Sequence, residues 1–255
     1  MHAVSLDNLA IALAKNRASG TVSGLAFAGI VSKLEAAEVQ LAALDAYNGD
    51  RKGYALAGTN AACQRILGLH EPVIGPIAAR DIFDGHSHIH LPQGVIGAQC
   101  ELTFTIGNSF PLKGDEISRP AIAETIVACR PTIGLVGRRA FGAPHNDVIA
   151  IADFGLHVAT ICGPAMRVDW DGLDRVEMTA RINGETVVTA RGSAVLGHPL
   201  EAVALLAREL ALQGKQINAG EIVTTGSWSP ILQVLPGQTL SVDFETIGKV
   251  SCTFA

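Results

Sequence analysis

The chain has 255 residues, of which 48% are hydrophobic and 17% are charged, and its net charge is −5 at neutral pH. This length allows a large core, in one big domain or in two modest ones. The acidic balance leaves no basic stripe for nucleic acid, and no apolar run reaches the roughly 18 residues of a membrane span. Because the opening stretch MHAVSLDNLAIALAKNR lacks the architecture of a signal peptide, we expect a cytoplasmic protein without nucleic-acid or membrane partners.

Helical patterns come first along the chain. LDNLAIALAKNR and VSKLEAAEVQLAALDAY both place apolar residues near helical spacing, and NAACQRILGL predicts a third, shorter helix. We therefore assign residues 1–70 to a helical N-terminal segment and residues 71–255 to a strand-rich body. The fold class that follows is α+β.

Short apolar runs broken by Gly, Pro and Asn follow residue 70. Strands are predicted at 95–106, at RVEMTARING and its partner ETVVTARGS, at AGEIVTTG, and at TLSVDFETIGKVSCTF. Asn183-Gly184 between two alternating runs is a strong hairpin signal. Two further helices are predicted, at AIAETIVACR and at HPLEAVALLARELALQGK.

The stretch IGAQCELTFTIG (96–107) alternates apolar and polar residues without a break. Since successive side chains of a strand point to opposite faces, one face is dry and the other polar. Gln99 and Glu101 are neighbours on the polar face, where they either coat a surface or line a pocket. Cys100 belongs to the dry face and is typical of a small buried hydrophobe, as are the other four scattered cysteines.

Three histidines alternate in DGHSHIH, at positions 86, 88 and 90. On a strand they would share a face and bind a transition metal. The competing interpretation, which we favour, is a solvated loop rich in turn-forming residues.

A second group of candidates lies between residues 138 and 157. Asp153 precedes His157 by four positions. In one interpretation the carboxylate orients the imidazole and the two form an acid–base pair. In the other, the histidine fills a polar gap in an apolar segment. Arg138 and Arg139 either clamp a substrate carboxylate or form surface salt bridges. His198, beside Pro199, is predicted to hydrogen-bond the start of a helix.

The C-terminal third carries a resemblance. RGSAVLGHPLEAVALLAREL and INAGEIVTTGSWSPILQVLPGQTLSVDFETIGKVSCTF resemble the 2-keto-4-pentenoate hydratase and 4-oxalocrotonate decarboxylase group of the fumarylacetoacetate hydrolase superfamily. Upstream, GYALAGTNAACQRILGLHEPVIGPI is similar to that group's GxKxGxTxxxxQxxLGxxxPxxGxL. The resemblance covers nearly the whole chain and implies a fumarylacetoacetate-hydrolase-like, β-rich α+β core. It also implies a homo-oligomer.

The resemblance further implies a lyase that hydrates or decarboxylates a small open-chain 2-keto acid. Relatives bind Mg²⁺ or Mn²⁺, and the ion chelates the substrate and stabilises a developing enolate. Two glutamates in an E-x-E strand hold that ion, and their counterparts here are Gln99 and Glu101. The third glutamate of the group falls on Gly134, and its active-site lysine falls on Ala55.

The DNASS segment of the group corresponds to residues 153–157, which keep the aspartate and lose both serines. Asp153, His157 and Arg139 are therefore the expected catalytic residues. Three hypotheses follow. In the first, Gln99 and Glu101 hold Mg²⁺ or Mn²⁺ weakly, and a chelating substrate completes the metal site. In the second, the enzyme is metal-independent and uses His157 and Asp153. In the third, the chain is a catalytically weak assembly partner.

Overall fold

The computed structural model describes residues 6–27 and 29–255. Within these ranges the chain forms six α-helices: α1 (Leu6–Ser19), α2 (Lys33–Ala46), α3 (Ala61–Leu67), α4 (Arg119–Thr125), α5 (Asp147–Ala152) and α6 (Leu200–Leu212). Each helix predicted from the sequence is present, although α4 is shorter than expected. No helix of the described ranges has the length and apolarity needed to cross a membrane.

The larger of the two main sheets has seven strands in the spatial order β3-β2-β12-β6-β7-β9-β4. Their bounds are β2 (Arg51–Ala57), β3 (Val73–Ala78), β4 (Ile82–Asp84), β6 (Val95–Ile106), β7 (Ile126–Gly137), β9 (His157–Cys162) and β12 (Ile222–Thr224). The long antiparallel pair of β6 and β7 forms its centre, with Gln99 opposite Gly134 and Glu101 opposite Thr132.

The second sheet has the order β11-β10-β13-β14-β5. It contains β5 (Ser87–Ile89), β10 (Glu177–Ile182), β11 (Glu185–Arg191), β13 (Thr239–Phe244) and β14 (Gly248–Phe254). Two short strands, β1 (Ser23–Gly24) and β8 (Ala140–Phe141), pair separately. The predicted hairpin is confirmed: β10 and β11 join at Asn183 and Gly184, whose φ angles of 52° and 88° are those that Asn and Gly tolerate.

The main core lies between the two sheets and α6. Phe104 of β6, Phe244 of β13 and Leu206 of α6 belong to one buried cluster, in which the rings of Trp228 and Phe244 meet edge to face at 4.9 Å. A second cluster packs α1, α2 and α5 together around Leu13. A third cluster contains Leu67 of α3, so separate apolar clusters hold the N-terminal helices and the sheet layers through burial of apolar surface.

The N-terminal helices sit on the sheet layer, and β2 lies inside the large sheet, beside β3. The division at residue 70 stays a prediction, since a strand before it pairs with a strand after it. Ser32 and Glu35 form a reciprocal capping box that defines the start of α2.

One predicted helix is partly wrong. AIAETIVACR was expected to be helical throughout, but α4 ends at Thr125 and Ile126 opens β7. The β-branched residues from Ile126 onward pair with β6, and this long-range pairing outweighs the local helical pattern.

Candidate functional site

Gln99 and Glu101 lie on the polar face of β6, which is as deeply buried as the dry face. Their exposed fractions are 2% and 1%. The backbone N–H of Gly226 donates to Glu101 Oε2 at 2.9 Å, and Gln99 Nε2 approaches the same oxygen at 3.4 Å. Gln99 Nε2 also donates to the Leu56 carbonyl at 3.3 Å. The two side chains therefore belong to an interior polar cluster rather than to the outer surface.

Glu101 occupies the space above Gly134. A Cβ placed on Gly134 would collide with Glu101 Oε1 and come within 3.5 Å of Gln99 Nε2. At the position where the resemblance has a third glutamate, glycine thus leaves room for the Glu101 carboxyl to bend across the sheet. Any larger side chain at residue 134 requires Glu101 to move.

Burial sets the protonation state of Glu101. Removal from water raises the pKa of its carboxyl to about 8, although the Thr224 hydroxyl, the Gly226 N–H and the Gln99 amide oppose the shift. At neutral pH the carboxyl is therefore mostly protonated and neutral. Two buried polar atoms of this region lack a partner within the described protein, namely Gln99 Oε1 and Thr59 Oγ1.

Arg139 and Asp153 form a buried ion pair. Arg139 Nη1 lies 3.2 Å from Asp153 Oδ1, and the Arg139 backbone N–H donates to Asp153 Oδ2 at 2.8 Å. Arg139 Nη2 donates to the carbonyl of His157. Burial lowers the pKa of Arg139 to about 10, an effect that Asp153 opposes, and the guanidinium stays charged at neutral pH. Its hydrogen bonds to protein acceptors leave little capacity to clamp a substrate.

His157 is oriented by Arg17 and not by Asp153. Arg17 Nη2 lies 2.9 Å from His157 Nδ1, and His157 Nε2 lies 2.9 Å from Thr160 Oγ1. Because a guanidinium can only donate, Nδ1 is the acceptor and Nε2 carries the proton. Burial, followed by the charges of Arg17 and Arg139, holds the pKa of His157 well below its usual value. The ring is neutral and both nitrogens are engaged.

Of the two alternatives for His157, the contact of its ring with Asp153 is not formed, and a contact from helix α1 takes its place. Arg17 was not found from the sequence, where it reads as an ordinary basic residue at the end of an amphipathic helix. Its side chain is only 3% exposed, and its Nη2 pairs with Asp81 Oδ2 at 2.6 Å. Tyr47 completes the group by donating to Asp81 Oδ1 at 2.8 Å.

The remaining candidates lie elsewhere. Arg138 is half-buried and donates to the Leu67 carbonyl at 2.6 Å. His86, His88 and His90 are exposed, and His86 Nδ1 lies 2.8 Å from Ser251 Oγ. His198 Nδ1 accepts from the Leu200 backbone N–H at 3.1 Å, which confirms its expected contact at the start of α6. The five cysteines are buried and free, as predicted.

The residues present do not fit a resident divalent cation. Mg²⁺ and Mn²⁺ prefer several charged or carbonyl oxygens, whereas this face offers one carboxyl and one amide oxygen. The position of a third ligand is Gly134, whose space the Glu101 carboxyl fills. Across residues 6–27 and 29–255, no three His, Cys, Asp or Glu side chains are grouped so that they could hold a metal ion.

Comparison with known proteins gives the context for this geometry. The chain is 26% identical over 196 residues to 4-oxalocrotonate decarboxylase of Pseudomonas putida, covering 74% of this chain and 71% of that protein. It is 28% identical over 203 residues to 2-keto-4-pentenoate hydratase of Paraburkholderia xenovorans (strain LB400), covering 77% and 73%.

Solved structures show the same fold. 4-Oxalocrotonate decarboxylase from Pseudomonas putida G7, complexed with magnesium and adipate, superposes with a TM-score of 0.82 at 23% identity, covering 96% of this chain and 97% of that one. Fumarylpyruvate hydrolase from Pseudomonas aeruginosa, in complex with Mn²⁺ and pyruvate, gives a TM-score of 0.61 at 17% identity, covering 80% and 89%. The model of the fumarylacetoacetate hydrolase C-terminal domain matches residues 84–255. The chain belongs to the fumarylacetoacetate hydrolase family.

Proposed function

We propose that the protein is a lyase that hydrates or decarboxylates a small open-chain 2-keto or 2-hydroxydienoic acid through an enolate-type intermediate. The names of the relatives supply the substrate class. The observation that carries the proposal is the buried Glu101 carboxyl, held beside Gln99 on the strand where the resemblance places the catalytic centre.

In this proposal Glu101 acts as a neutral carboxylic acid and not as a charged metal ligand. A carboxylic acid kept neutral by an apolar site can donate a hydrogen bond to a developing oxyanion. Gly226 N–H and Gln99 Nε2 engage Oε2, and Oε1 lies over Gly134. Glu101 holds its proton at the enolate oxygen of the substrate, and this hydrogen bond strengthens as charge develops there. Hydration and decarboxylation both pass through that enolate.

Arg139, Asp153 and His157 act as positioning residues. The ion pair of Arg139 and Asp153 fixes the chain at His157, whose ring donates to Thr160 Oγ1. Thr160 is paired with Gly134 across β9 and β7. A fully hydrogen-bonded imidazole with a depressed pKa is a poor base, so we assign His157 to support of the sheet beside Glu101 rather than to proton transfer.

The test is turnover by chelator-treated protein. We expect the protein to consume 2-hydroxypenta-2,4-dienoate or 4-oxalocrotonate without added metal. Ultraviolet absorbance measures the consumption of either substrate, and release of CO₂ measures decarboxylation. Glu101→Leu should lower kcat by about 100-fold, the usual effect of removing an oxyanion-stabilising donor. Glu177→Gln, on the exposed start of β10, is the matched control and should leave kcat unchanged. Turnover that requires added Mg²⁺ would contradict the metal-free assignment.

A second candidate is a binding or assembly subunit without turnover of its own. Burial of Gln99 and Glu101 to 2% and 1% favours it, because a substrate reaches this face only if the covering segments open. Absence of turnover on both acids, with and without Mg²⁺, would support this candidate over the lyase.

We also infer a homo-oligomer. Large apolar side chains are exposed at Val31 (82%), Leu34 (71%) and Leu212 (84%), and burial against a second copy would remove them from water. Light scattering on the purified protein measures the mass directly. A monomer at all concentrations would contradict this inference.

A further inference from the structure

A cleft of about 140 Å³ lies between the end of α1 and the Arg138-Arg139 segment. Phe83, Ile89 and Val158 supply apolar wall, and Thr21 lies at its rim. Neither Gln99 nor Glu101 lines this cleft. It is therefore separate from the face that carries Gln99 and Glu101, although Arg139, which positions His157, also lines it.

The cleft carries more positive than negative charge. Three guanidinium groups line it, and two of them have carboxylate partners: Arg17 pairs with Asp81 and Arg139 pairs with Asp153. For Arg138, no carboxylate lies within ion-pair distance among the described residues. Its interactions are a hydrogen bond to the Leu67 carbonyl and the field of Asp153. One half-buried positive charge is thus uncompensated at this place.

Two guanidinium N–H groups of the cleft have no acceptor. Arg17 Nη1 and Arg138 Nε are buried and have no hydrogen-bond partner within the described protein. A buried donor left unpaired is costly, and the cost is larger for a charged group. A negatively charged ligand in the cleft would neutralise the excess charge beside these donors.

Arg17 is held rigidly for such a role. Its guanidinium packs 4.3 Å from the Phe154 ring centroid and 5.1 Å from that of Tyr47. Its Nε and Nη2 are fixed on Asp81, and Nη2 also contacts His157. Since these contacts set the orientation of the plane before any ligand arrives, little side-chain entropy remains to be lost on binding.

We propose that this cleft binds a small organic carboxylate, with the acid group at Arg17 and Arg138 and a short apolar body against Phe83, Ile89 and Val158. Hydrogen bonds from guanidinium groups to a carboxylate are charge-assisted and therefore stronger than those between neutral groups. The apolar wall favours an organic acid over inorganic phosphate. This site rests on the geometry of the cleft alone and not on the proposed lyase activity.

The experiment is calorimetric titration of the full chain with butanoate, with its neutral counterpart butanamide, and with inorganic phosphate. We expect butanoate to bind, butanamide to give no signal, and phosphate to bind more weakly than butanoate. Because no turnover is measured, a negative result here leaves the proposed function untouched.

Variants locate the site. Arg138→Gln should weaken butanoate binding by about tenfold, which corresponds to the loss of roughly 1.4 kcal/mol. Arg130→Gln is the matched control, because Arg130 is also half-buried and also donates to a backbone carbonyl, that of Gly163, outside the cleft. This control should bind as the unmodified protein does. Melting curves of both variants report whether the fold is intact.

If Arg138→Gln does not fold, Thr21→Glu replaces it. Thr21 is exposed at the rim, so the substitution is tolerated and adds a carboxylate that competes for the arginines. It should weaken butanoate binding by a similar factor. The proposal is overturned if butanoate does not bind, if phosphate binds more tightly, or if the folded variants in the cleft bind as tightly as the control.

Discussion

Arg17 Nη2 lies 2.9 Å from His157 Nδ1, although the two residues are 140 positions apart in the chain. The guanidinium donates to the imidazole, so the ring must be neutral for this contact to persist. A helix near the N-terminus thereby fixes the tautomer and orientation of a histidine at the start of β9.

This relationship predicts that His157 makes the fold sensitive to acid. The pKa of His157 is depressed in the folded protein, so below the unfolded value of about 6.5 the unfolded chain binds a proton that the folded chain does not. The His157 contribution to stability is therefore lost as the pH falls from that value, whereas the raised pKa of Glu101 stabilises the fold over the same range. The loss is about 1.4 kcal/mol per pH unit while the folded ring stays neutral.

Denaturant unfolding at about pH 7.5 and about pH 5.5 measures this effect. Because Glu101 acts in the opposite direction, the readout is the difference between proteins in how unfolding free energy changes from the higher to the lower pH. Relative to the unmodified protein, His157→Gln should shift this change in the stabilising direction. His88→Gln, on an exposed side chain, is the control and should change as the unmodified protein does. The same change in all three proteins would contradict the assignment.

Because Arg139 and Asp153 form a buried ion pair, replacing only one of the two should lower the free energy of unfolding strongly. Arg139→Met leaves the Asp153 carboxylate buried and unpaired, which should cost about 3–5 kcal/mol of unfolding free energy. The double variant Arg139→Met/Asp153→Leu should recover part of that loss, because no lone charge remains. A double variant as unstable as the sum of the two single variants would show that the pair is not coupled.

The packing of Glu101 over Gly134 predicts a coupled pair of substitutions. Gly134→Ala introduces a Cβ that collides with Glu101 Oε1 and should cost about 1–3 kcal/mol. In the background Glu101→Ala the same change should cost much less, because the colliding oxygen is gone. A double-mutant cycle by denaturant unfolding gives the coupling energy, and a value near zero would place the Glu101 carboxyl elsewhere.

The donor set around Glu101 predicts weak or absent metal binding. Calorimetric titration of metal-stripped protein with Mg²⁺ or Mn²⁺ should give no signal, with or without oxalate as a mimic of the keto-acid chelate. Binding that appears with oxalate and disappears in Glu101→Ala would instead show that the substrate completes a site on Gln99 and Glu101. Glu185→Ala removes an exposed carboxylate outside this face and is the matched control.

The sequence by itself determined the local elements and the family. Alternation of apolar and polar residues predicted β6 over its full length, and Asn183-Gly184 predicted the hairpin because few residues adopt positive φ. The motif around LGHPL predicted α6 and indicated the family. The match of the family model to residues 84–255 confirms that family. These features depend on residues that are close together in the sequence, and patterns in a single sequence indicate such local features directly.

Tertiary structure alone decided how the candidate site is built. The sequence placed Gln99 and Glu101 on a polar face, but only packing showed that this face is buried and that the Glu101 carboxyl fills the space above Gly134. Arg17 became the partner of His157 because α1 packs onto the sheet layer, a contact without any signal in local spacing. Burial and long-range pairing depend on the whole chain, and they set the charges that the site can hold.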